Sequence, residues 1–254
     1  MPAIPKTRII EDLRGAGQRG ELVAYFQPQV ALPGRQVVGV EALARWDHPE
    51  FGLISPTDFI PAAESSGLIA EIGHHMLDLA VQQAAAWRAS GRGLDVAVNV
   101  SPNQLADDDY CEDVSAVLDR HGLDPATLTL EITETQPIAD VPAVIECLLH
   151  VRGLGVGVSI DDFGAGHSSL EQFRRLPASE VKLDQSIIQG PVDDAYARLS
   201  DVLVEARERG LRIVAEGVET HEQLALAERL GCDRAQGYLI GRPMAAEAFV
   251  RSLG

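Results

Sequence analysis

The sequence predicts an α/β fold in which about eight strands close into a barrel surrounded by helices. Short runs rich in β-branched residues alternate with longer amphipathic stretches, and no low-complexity linker divides the 254 residues. Helical periodicity is clearest over residues 72–89 and 194–208. The strand-like runs are residues 24–29, 37–43, 95–100, 127–132, 156–161, 180–184, 211–216 and 235–240. This alternation is typical of a parallel sheet with helical crossovers, and eight repeats indicate a TIM-like (β/α)8 barrel.

The connection between the first two runs departs from this pattern. Only residues 30–36 separate the two runs, and they contain the pair Pro33-Gly34. A parallel crossover needs a dozen or more residues, whereas Pro-Gly favours a tight turn. The first strand is therefore predicted to run antiparallel to the second.

Composition narrows the classes of function. The formal net charge is −17, so the surface repels nucleic-acid polymers and anionic membranes, and an anionic ligand would need local cations such as metal ions. No apolar stretch is long enough to span a bilayer. The three cysteines, Cys111, Cys147 and Cys232, show no metal-ligand spacing. We expect them to be reduced and the chain to be cytoplasmic.

Within the strands, polar residues alternate with apolar ones. In the third run Asp95, Ala97 and Asn99 share one face, and valines occupy the other. The apolar faces must lie under the helices, so the polar faces point into the barrel. Because a polar residue tends to come last in each run, these side chains are predicted at the C-terminal mouth, where such barrels carry their sites.

The residues predicted at this mouth form one chemical set. It consists of Glu41, Asn99, Glu131, Asp161, Asp162, Glu216 and Lys182. Clustered carboxylates need positive charge between them, and oxygen ligands suit Mg²⁺ or Mn²⁺ rather than Zn²⁺. The adjacent acids Asp161 and Asp162 are suited to bridging two ions, which can stabilise both the attacking and the leaving oxygen of a phosphodiester displacement. A neighbouring lysine can hold the attacking water.

Each of these features alone has an ordinary structural explanation. An Asp-Asp pair before glycines can be a turn or a helix cap, and Lys182 can be a surface residue of an edge strand. A glycosidase on the same barrel would need two acids rather than five, and it would have no use for Asn99 or Lys182. The common face and common mouth of the set therefore favour a metal-dependent phosphodiesterase.

Seven short motifs in chain order resemble those of the EAL domain family. They are Glu41-Ala42-Leu43-Ala44-Arg45-Trp46, Asn99-Val100-Ser101, Glu131-Ile132-Thr133-Glu134, Asp161-Asp162-Phe163-Gly164-Ala165-Gly166, Lys182-Leu183-Asp184, Glu216-Gly217-Val218-Glu219 and Gln236-Gly237-Tyr238. The resemblance extends from about Leu13 to the end. Asn103, Ala165 and His167 stand where the family more often has Arg, Thr and Tyr.

This resemblance implies a phosphodiesterase that opens cyclic di-GMP to linear 5'-pGpG with Mg²⁺ or Mn²⁺, two ions per site. Because an oxygen-rich shell also admits Ca²⁺ at longer bonds and in looser geometry, we expect Ca²⁺ to bind without supporting turnover. Lys182, Glu216 and Glu41 are the implied catalytic residues, Lys182 positioning the water and Glu216 acting as general base. The implied metal ligands are Glu41, Asn99, Glu131, Asp161, Asp162 and Glu216. The implied substrate-binding residues are Gln27, Leu43, Arg45 (at a phosphate), Asp184, Glu219, Gln236, Gly237 and Tyr238. The residues expected to support the loop after Asp162 are Glu134, Phe163, Gly164 and Gly166.

The family also suggests how the chain is organised. Residues 1–20 resemble a lead-in helix or linker, and residues 21–254 the EAL domain. The resemblance suggests a homodimer, and a longer protein with sensor or GGDEF domains. The alternative function is a non-catalytic cyclic di-GMP receptor. Such receptors typically lack part of the metal shell or the lysine, and here all of those positions are filled.

Overall fold

The computed structural model describes residues 6–107, 109–133, 141–165 and 170–253. The strands are β1 (Leu22–Ala31), β2 (Val37–His48), β3 (Gly52–Ile54), β4 (Asp95–Asn99), β5 (Leu128–Thr133), β6 (Gly157–Phe163), β7 (Glu180–Leu183), β8 (Arg212–Ala215), β9 (Arg234–Gln236) and β10 (Met244–Ala245). The helices are α1 (Lys6–Leu13), α2 (Pro56–Ser66), α3 (Ile69–Ala89), α4 (Pro102–Leu105), α5 (Tyr110–His121), α6 (Val141–Leu154), α7 (Leu170–Arg175), α8 (Gln185–Ile188), α9 (Val192–Glu208), α10 (His221–Leu230) and α11 (Ala246–Ser252). None of the helices in these ranges is long and apolar enough to cross a membrane.

Eight of the strands close into a barrel in the order β1, β2, β4, β5, β6, β7, β8, β9 and back to β1. From β2 to β9 neighbouring strands are parallel, whereas β1 is antiparallel to both β2 and β9. The predicted TIM-like barrel and its antiparallel first strand are therefore confirmed. The short strands β3 and β10 extend the sheet outside the barrel, on β2 and β1.

The last predicted strand is wrong beyond Gln236. The strand β9 ends there, and the amides of Ile240 and Gly241 both donate to the carbonyl of Gly237 at 3.0 Å, which makes a turn. A Cβ on Gly237 would lie 2.2 Å from backbone atoms of Val218, so the chain bends against the loop after β8 at a residue with no side chain. The alternation in residues 235–240 does not reveal this contact.

The core confirms the predicted division of strand faces. Val96 and Val98 on β4 and Leu128 and Leu130 on β5 are buried in the layer between the barrel and its helices. A separate apolar cluster lies beneath α1 and α2. Its members are Ile9, Leu13, Ala16, Leu22, Trp46, Phe51, Ile54, Phe59, Ala63, Ile69, Ile72 and Met76.

Ion pairs between strand starts close the end of the barrel opposite the mouth. Arg212 on β8 donates to Glu180 on β7 at 2.5 Å, and Arg234 on β9 pairs with Asp95 on β4. Two arginines therefore face two carboxylates, and Glu180 is almost fully buried. This balanced set needs no further cation, unlike the acidic set predicted at the mouth.

The expectation that all three cysteines are reduced is wrong for two of them. Cys111 on α5 and Cys147 on α6 form a disulfide, with their Cα atoms 5.8 Å apart. They are 36 residues apart in the chain, so their spacing does not indicate that they pair. They meet because α5 and α6 are neighbours on the outside of the barrel. Cys232 is free, and burial raises the pKa of its thiol to about 12.

We predict that reduction of this disulfide lowers the free energy of unfolding by about 2–4 kcal/mol, because the cross-link restricts a 36-residue loop in the unfolded chain. Urea unfolding with and without dithiothreitol measures the difference. A Cys111→Ser, Cys147→Ser double variant should have the unfolding midpoint of the reduced protein, with or without dithiothreitol. The midpoint of the control variant Cys232→Ser should still fall when dithiothreitol is added. Equal midpoints for the parent in both conditions would contradict the prediction.

Candidate active site

Lys182 lies at the centre of the predicted mouth cluster. Its side chain is fully buried inside the barrel on β7. The Nζ atom lies 2.7 Å from Glu216 Oε1, 3.0 Å from Glu131 Oε2, 3.0 Å from Asp161 Oδ1 and 3.5 Å from Glu41 Oε2. These acids come from β2, β5, β6 and the end of β8. Barrel closure thus brings together side chains that are up to 175 positions apart in the sequence.

The ammonium and the carboxylates perturb each other strongly. Burial alone would lower the pKa of Lys182, but Asp161, Glu131, Glu216 and Glu41 outweigh burial and raise it well above its usual value. The lysine is therefore a permanent cation at neutral pH.

The carboxylates are in the opposite situation. Burial is the main cause that raises the pKa of Asp161, and it raises those of Glu131 and Glu216 well above the usual range. Burial and the neighbouring Asp161 raise the pKa of Asp162 to about 6. With Glu41 the set has five carboxylates and one ammonium, a net charge of −4 when all are ionised. The cluster therefore lacks positive charge.

The carboxylate oxygens fit a pair of metal ions. Oxygens of Glu41, Glu131 and Asp161 lie within 4.8 Å of one another, and so do oxygens of Asp161, Asp162 and Glu216. The two groups share Asp161, which could therefore bridge two ions. The Glu131 Oε1 atom is buried and has no hydrogen-bond partner. An unpaired buried carboxylate oxygen is costly, so this atom is suited to a cation. The all-oxygen donor set suits Mg²⁺ or Mn²⁺.

A bulge brings two successive carboxylates to the mouth. Neighbouring residues of a regular strand point to opposite faces, so Asp161 and Asp162 should not share a site. The pairing of β6 with β7 shifts register between Ile160 and Phe163, and Asp162 has a left-handed φ of 56°. The irregular backbone brings carboxylate oxygens of both residues within 4.8 Å of each other and of a Glu216 oxygen.

Hydrogen bonds fix Glu41 in the cluster. The Gln236 Nε2 donates to Glu41 Oε2 at 2.6 Å, and the Asn99 Nδ2 donates to Glu41 Oε1 at 2.7 Å. Burial opposes ionisation of Glu41, but Lys182 and these two hydrogen bonds lower the pKa of this carboxyl below its usual value. Because Asn99 donates through its nitrogen, its carbonyl oxygen is available as a ligand. Gln236 is itself held by Gln29, whose Nε2 donates to Gln236 Oε1 at 2.9 Å.

A cavity of about 250 Å³ opens above the carboxylates. It is lined by Gln27, Glu41, Leu43, Asp162, Asp184, Gln185, Glu216, Gly217, Glu219, Gln236, Gly237 and Tyr238. This set contains every predicted substrate-binding residue except Arg45. Gln185 and Gly217 were not predicted. A Cβ on Gly217 would lie 2.3 Å from Gln185 Cβ, so the glycine lets the loop after β8 approach α8.

A larger and mainly apolar cavity of about 690 Å³ lies on the other side of the carboxylates. It shares Glu41, Leu43 and Asp162 with the first cavity. Its apolar wall comes from α2 and α3 and includes Ile60, Pro61, Ile69, Ile72 and Met76. Sequence reasoning missed this wall, because an amphipathic helix has the same pattern whether it covers a core or a cavity.

Three predicted residues lie around the cluster rather than in it. The Arg45 guanidinium carbon lies 5.6 Å from the ring centre of Tyr25, and the side chain is partly buried. Phe163 is buried and packs edge-on against Phe173, so it belongs to the core. Gly164 has a left-handed φ of 94°, so a residue with a side chain would be strained at this position, and its Cβ would lie 2.3 Å from Ile187 Cδ1.

Two further predicted residues, Glu134 and Gly166, lie outside the described residues. Asp184 has a structural task as well as its place in the cavity wall. Its Oδ1 accepts the amide of Ser186 at 2.9 Å and thereby caps α8.

Comparison with known proteins points to one family. The EAL domain family matches residues 10–243. The bifunctional diguanylate cyclase/cyclic di-GMP phosphodiesterase MucR of Pseudomonas aeruginosa is 44% identical over 249 residues, which are 97% of this chain and 36% of MucR. The cyclic di-GMP phosphodiesterase RocR of the same organism is 37% identical over 233 residues, which are 91% of this chain and 59% of RocR. The chain thus spans between about a third and three fifths of these relatives.

Solved structures agree with the sequence comparison. The PaMucR phosphodiesterase in complex with c-di-GMP superimposes with a TM-score of 0.87 at 45% identity, covering 95% of this chain and 99% of that chain. The EAL domain of Mycobacterium smegmatis DcpA superimposes with a TM-score of 0.76 at 30% identity, covering 92% and 96%.

We predict that Mn²⁺ raises the thermal unfolding midpoint, since the ion binds only the folded cluster. At a concentration of about 100 times Kd the stabilisation is about 2.7 kcal/mol. Glu131→Gln removes one anionic ligand and should abolish most of this shift, whereas Glu247→Gln, on the exposed face of α11, should retain it. Differential scanning fluorimetry with and without MnCl₂ measures the shifts. A full shift in Glu131→Gln would show that the ion binds elsewhere.

Proposed function

The chain belongs to the EAL domain family, and on that basis we propose that it is a metal-dependent phosphodiesterase that hydrolyses cyclic di-GMP to linear 5'-pGpG. The observation that carries the proposal is the mouth cluster, in which a buried lysine meets carboxylates from β2, β5, β6 and the end of β8. The relatives named cyclic di-GMP phosphodiesterases support the same substrate. The homodimer and additional sensor or GGDEF domains remain predictions from the resemblance, and a cytoplasmic location remains a prediction from the cysteine content.

The residues proposed to hold two Mg²⁺ or Mn²⁺ ions form two overlapping groups. Glu41, Glu131 and Asp161 provide one group, with the Asn99 carbonyl oxygen beside Glu41, and Asp161, Asp162 and Glu216 provide the other. When bound, such ions neutralise the phosphate and stabilise charge on the attacking and leaving oxygens. Ca²⁺ prefers longer bonds and looser geometry, so it should bind without supporting turnover.

Lys182 and Glu216 are proposed to act on the attacking water. The Lys182 ammonium is fixed by four carboxylates and can orient the water oxygen without reorganising. Glu216 lines the cavity and its Oε1 lies 2.7 Å from Lys182 Nζ, so its carboxylate is placed to accept the proton of a water held by the lysine. The water oxygen then bonds to phosphorus while the bond from phosphorus to the 3'-oxygen breaks. The leaving 3'-oxygen takes up a proton, which yields a linear dinucleotide with a 5'-phosphate.

The two cavities suit a ligand that extends to both sides of a central phosphate. They meet at Glu41, Leu43 and Asp162, next to the proposed metal ligands. We propose that Gln27, Leu43, Asp184, Glu219, Gln236, Gly237 and Tyr238 contact the substrate. Arg45 lies at the rim on β2 and is proposed to contact a phosphate, since it carries positive charge beside an acidic cluster.

The proposed reaction predicts a single product. With Mg²⁺ or Mn²⁺, chromatography should show conversion of cyclic di-GMP to 5'-pGpG, and with Ca²⁺ the substrate should stay unchanged although calorimetry detects its binding. Unchanged substrate in all three metals, with binding retained, would assign the chain to the receptor class. Equal turnover in Ca²⁺ and Mg²⁺ would refute the proposed role of the compact two-ion arrangement.

Two variants should separate binding from chemistry. Lys182→Ala should lower kcat by about 10²–10³-fold and retain cyclic di-GMP binding in Ca²⁺, because the lysine acts mainly in the transition state. Glu41→Ala should lose both, since it removes a ligand of the ions that neutralise the phosphate. The only other lysine, Lys6 in α1, provides the control Lys6→Ala, which should match the parent. Near-parent turnover by Lys182→Ala would overturn the mechanism.

A further inference from the structure

The inner face of the barrel continues upward beyond the carboxylates as a wall. On β2 the alternation runs from Glu41 to Leu43 and Arg45, and on β1 Tyr25 pairs with Leu43 in the sheet register. Tyr238 follows Gln236 by two residues and lines the 250 Å³ cavity. This wall therefore stands directly over the proposed metal centre.

Arg242 is stacked on Tyr238 in this wall. Its guanidinium carbon lies 4.0 Å from the centre of the Tyr238 ring, and half of Tyr238 is exposed. The turn that carries both residues is anchored at two points. The Leu239 amide donates to the carbonyl of Val218 at 3.0 Å, and Gln27 Nε2 donates to the carbonyl of Gly241 at 3.1 Å. The stacked pair is thus presented on a fixed support.

The N–H groups of the Arg242 guanidinium are available to donate hydrogen bonds to a ligand. Within the part of the chain that the structure describes, it has no carboxylate within ion-pair distance and no hydrogen-bond acceptor, in contrast to Arg212 and Arg234 at the barrel floor. This side chain is exposed in a chain of net charge −17. A planar donor fork beside a ligand cavity, already oriented by an aromatic ring, is suited to recognising a planar group with adjacent acceptors.

Guanine offers such a group. Its O6 and N7 are adjacent acceptors that an arginine can engage with two hydrogen bonds, whereas adenine has an amino donor in place of O6. The phosphates of the substrate already have partners in the metal cluster and Arg45 under the proposed function. We propose that Arg242, held on Tyr238, binds the O6 and N7 edge of one guanine and thereby determines specificity for guanine. The inference rests on cyclic di-GMP being the ligand, as proposed above.

Affinities of four proteins test this assignment. The proteins are the parent, Arg242→Ala, Arg242→Lys and the matched control Arg251→Ala, an exposed arginine on α11. Calorimetric titration in Ca²⁺ gives Kd for cyclic di-GMP, and for cyclic di-IMP, whose base retains O6 and N7. Turnover in Mg²⁺ gives kcat and KM separately.

Loss of both hydrogen bonds should weaken binding of each ligand about 5- to 150-fold in Arg242→Ala. KM should rise with little change in kcat, because the base lies away from the reacting phosphate. Arg242→Lys should also be impaired, since it keeps the charge but not the planar fork, and Arg251→Ala should match the parent. The assignment would be overturned if Kd of Arg242→Ala stayed within twofold of the parent value. It would also be overturned if Arg242→Lys bound with parent-like affinity, or if Arg251→Ala lost as much affinity as Arg242→Ala.

The outcome for Arg242 can be distinguished from the outcome for the proposed function. A parent that binds cyclic di-GMP but forms no product refutes the phosphodiesterase, and the Kd comparison still decides the role of Arg242. A parent that turns over the substrate while Arg242→Ala has an unchanged KM refutes the guanine contact alone. A parent with no affinity for either ligand overturns both.

Discussion

The mutual dependence of Lys182 and its carboxylates is the constraint on which the rest of this structure depends. A fully buried ammonium is tolerated only with counter-charges, and Glu41, Glu131, Asp161 and Glu216 surround it at 2.7–3.5 Å. Removing one partner of such a buried pair typically costs about 3–5 kcal/mol. Because each acid comes from a different strand, the charges are satisfied only when the barrel is closed. The same contacts therefore link β2, β5, β6, β7 and the end of β8 and assemble the site.

The two ends of the barrel differ in the balance of their buried charges. At the floor, Arg212 and Arg234 balance Glu180 and Asp95, so the charges are neutralised within the chain. At the mouth, five carboxylates exceed the charge of Lys182, and burial raises the pKa of most of them. The charges at the floor are thus balanced within the chain, whereas the mouth has more negative than positive charge and is suited to binding cations. This asymmetry separates the stabilising end of the fold from the reactive end.

Local periodicity made much of this predictable. Period-2 alternation identified the inward residues of β4 to β8, because a strand has only two faces. The short 30–36 connection predicted the antiparallel first strand, since too few residues remain for a crossover. The position of polar residues at the ends of the runs predicted that Lys182 and the acids meet, and the structure brings them together.

The sequence by itself therefore determined the barrel, the direction of its strands and the acidic mouth, because these follow from spacing along a single strand or connection. Only the tertiary structure decided the bulge that turns Asp162 toward Asp161, the end of β9 at Gln236 and the pairing of Cys111 with Cys147. It alone also revealed the apolar cavity between α2, α3 and the mouth. These features arise where residues distant in the chain come into contact. The alternation of polar and apolar residues along one segment does not indicate which distant segment will pack against it.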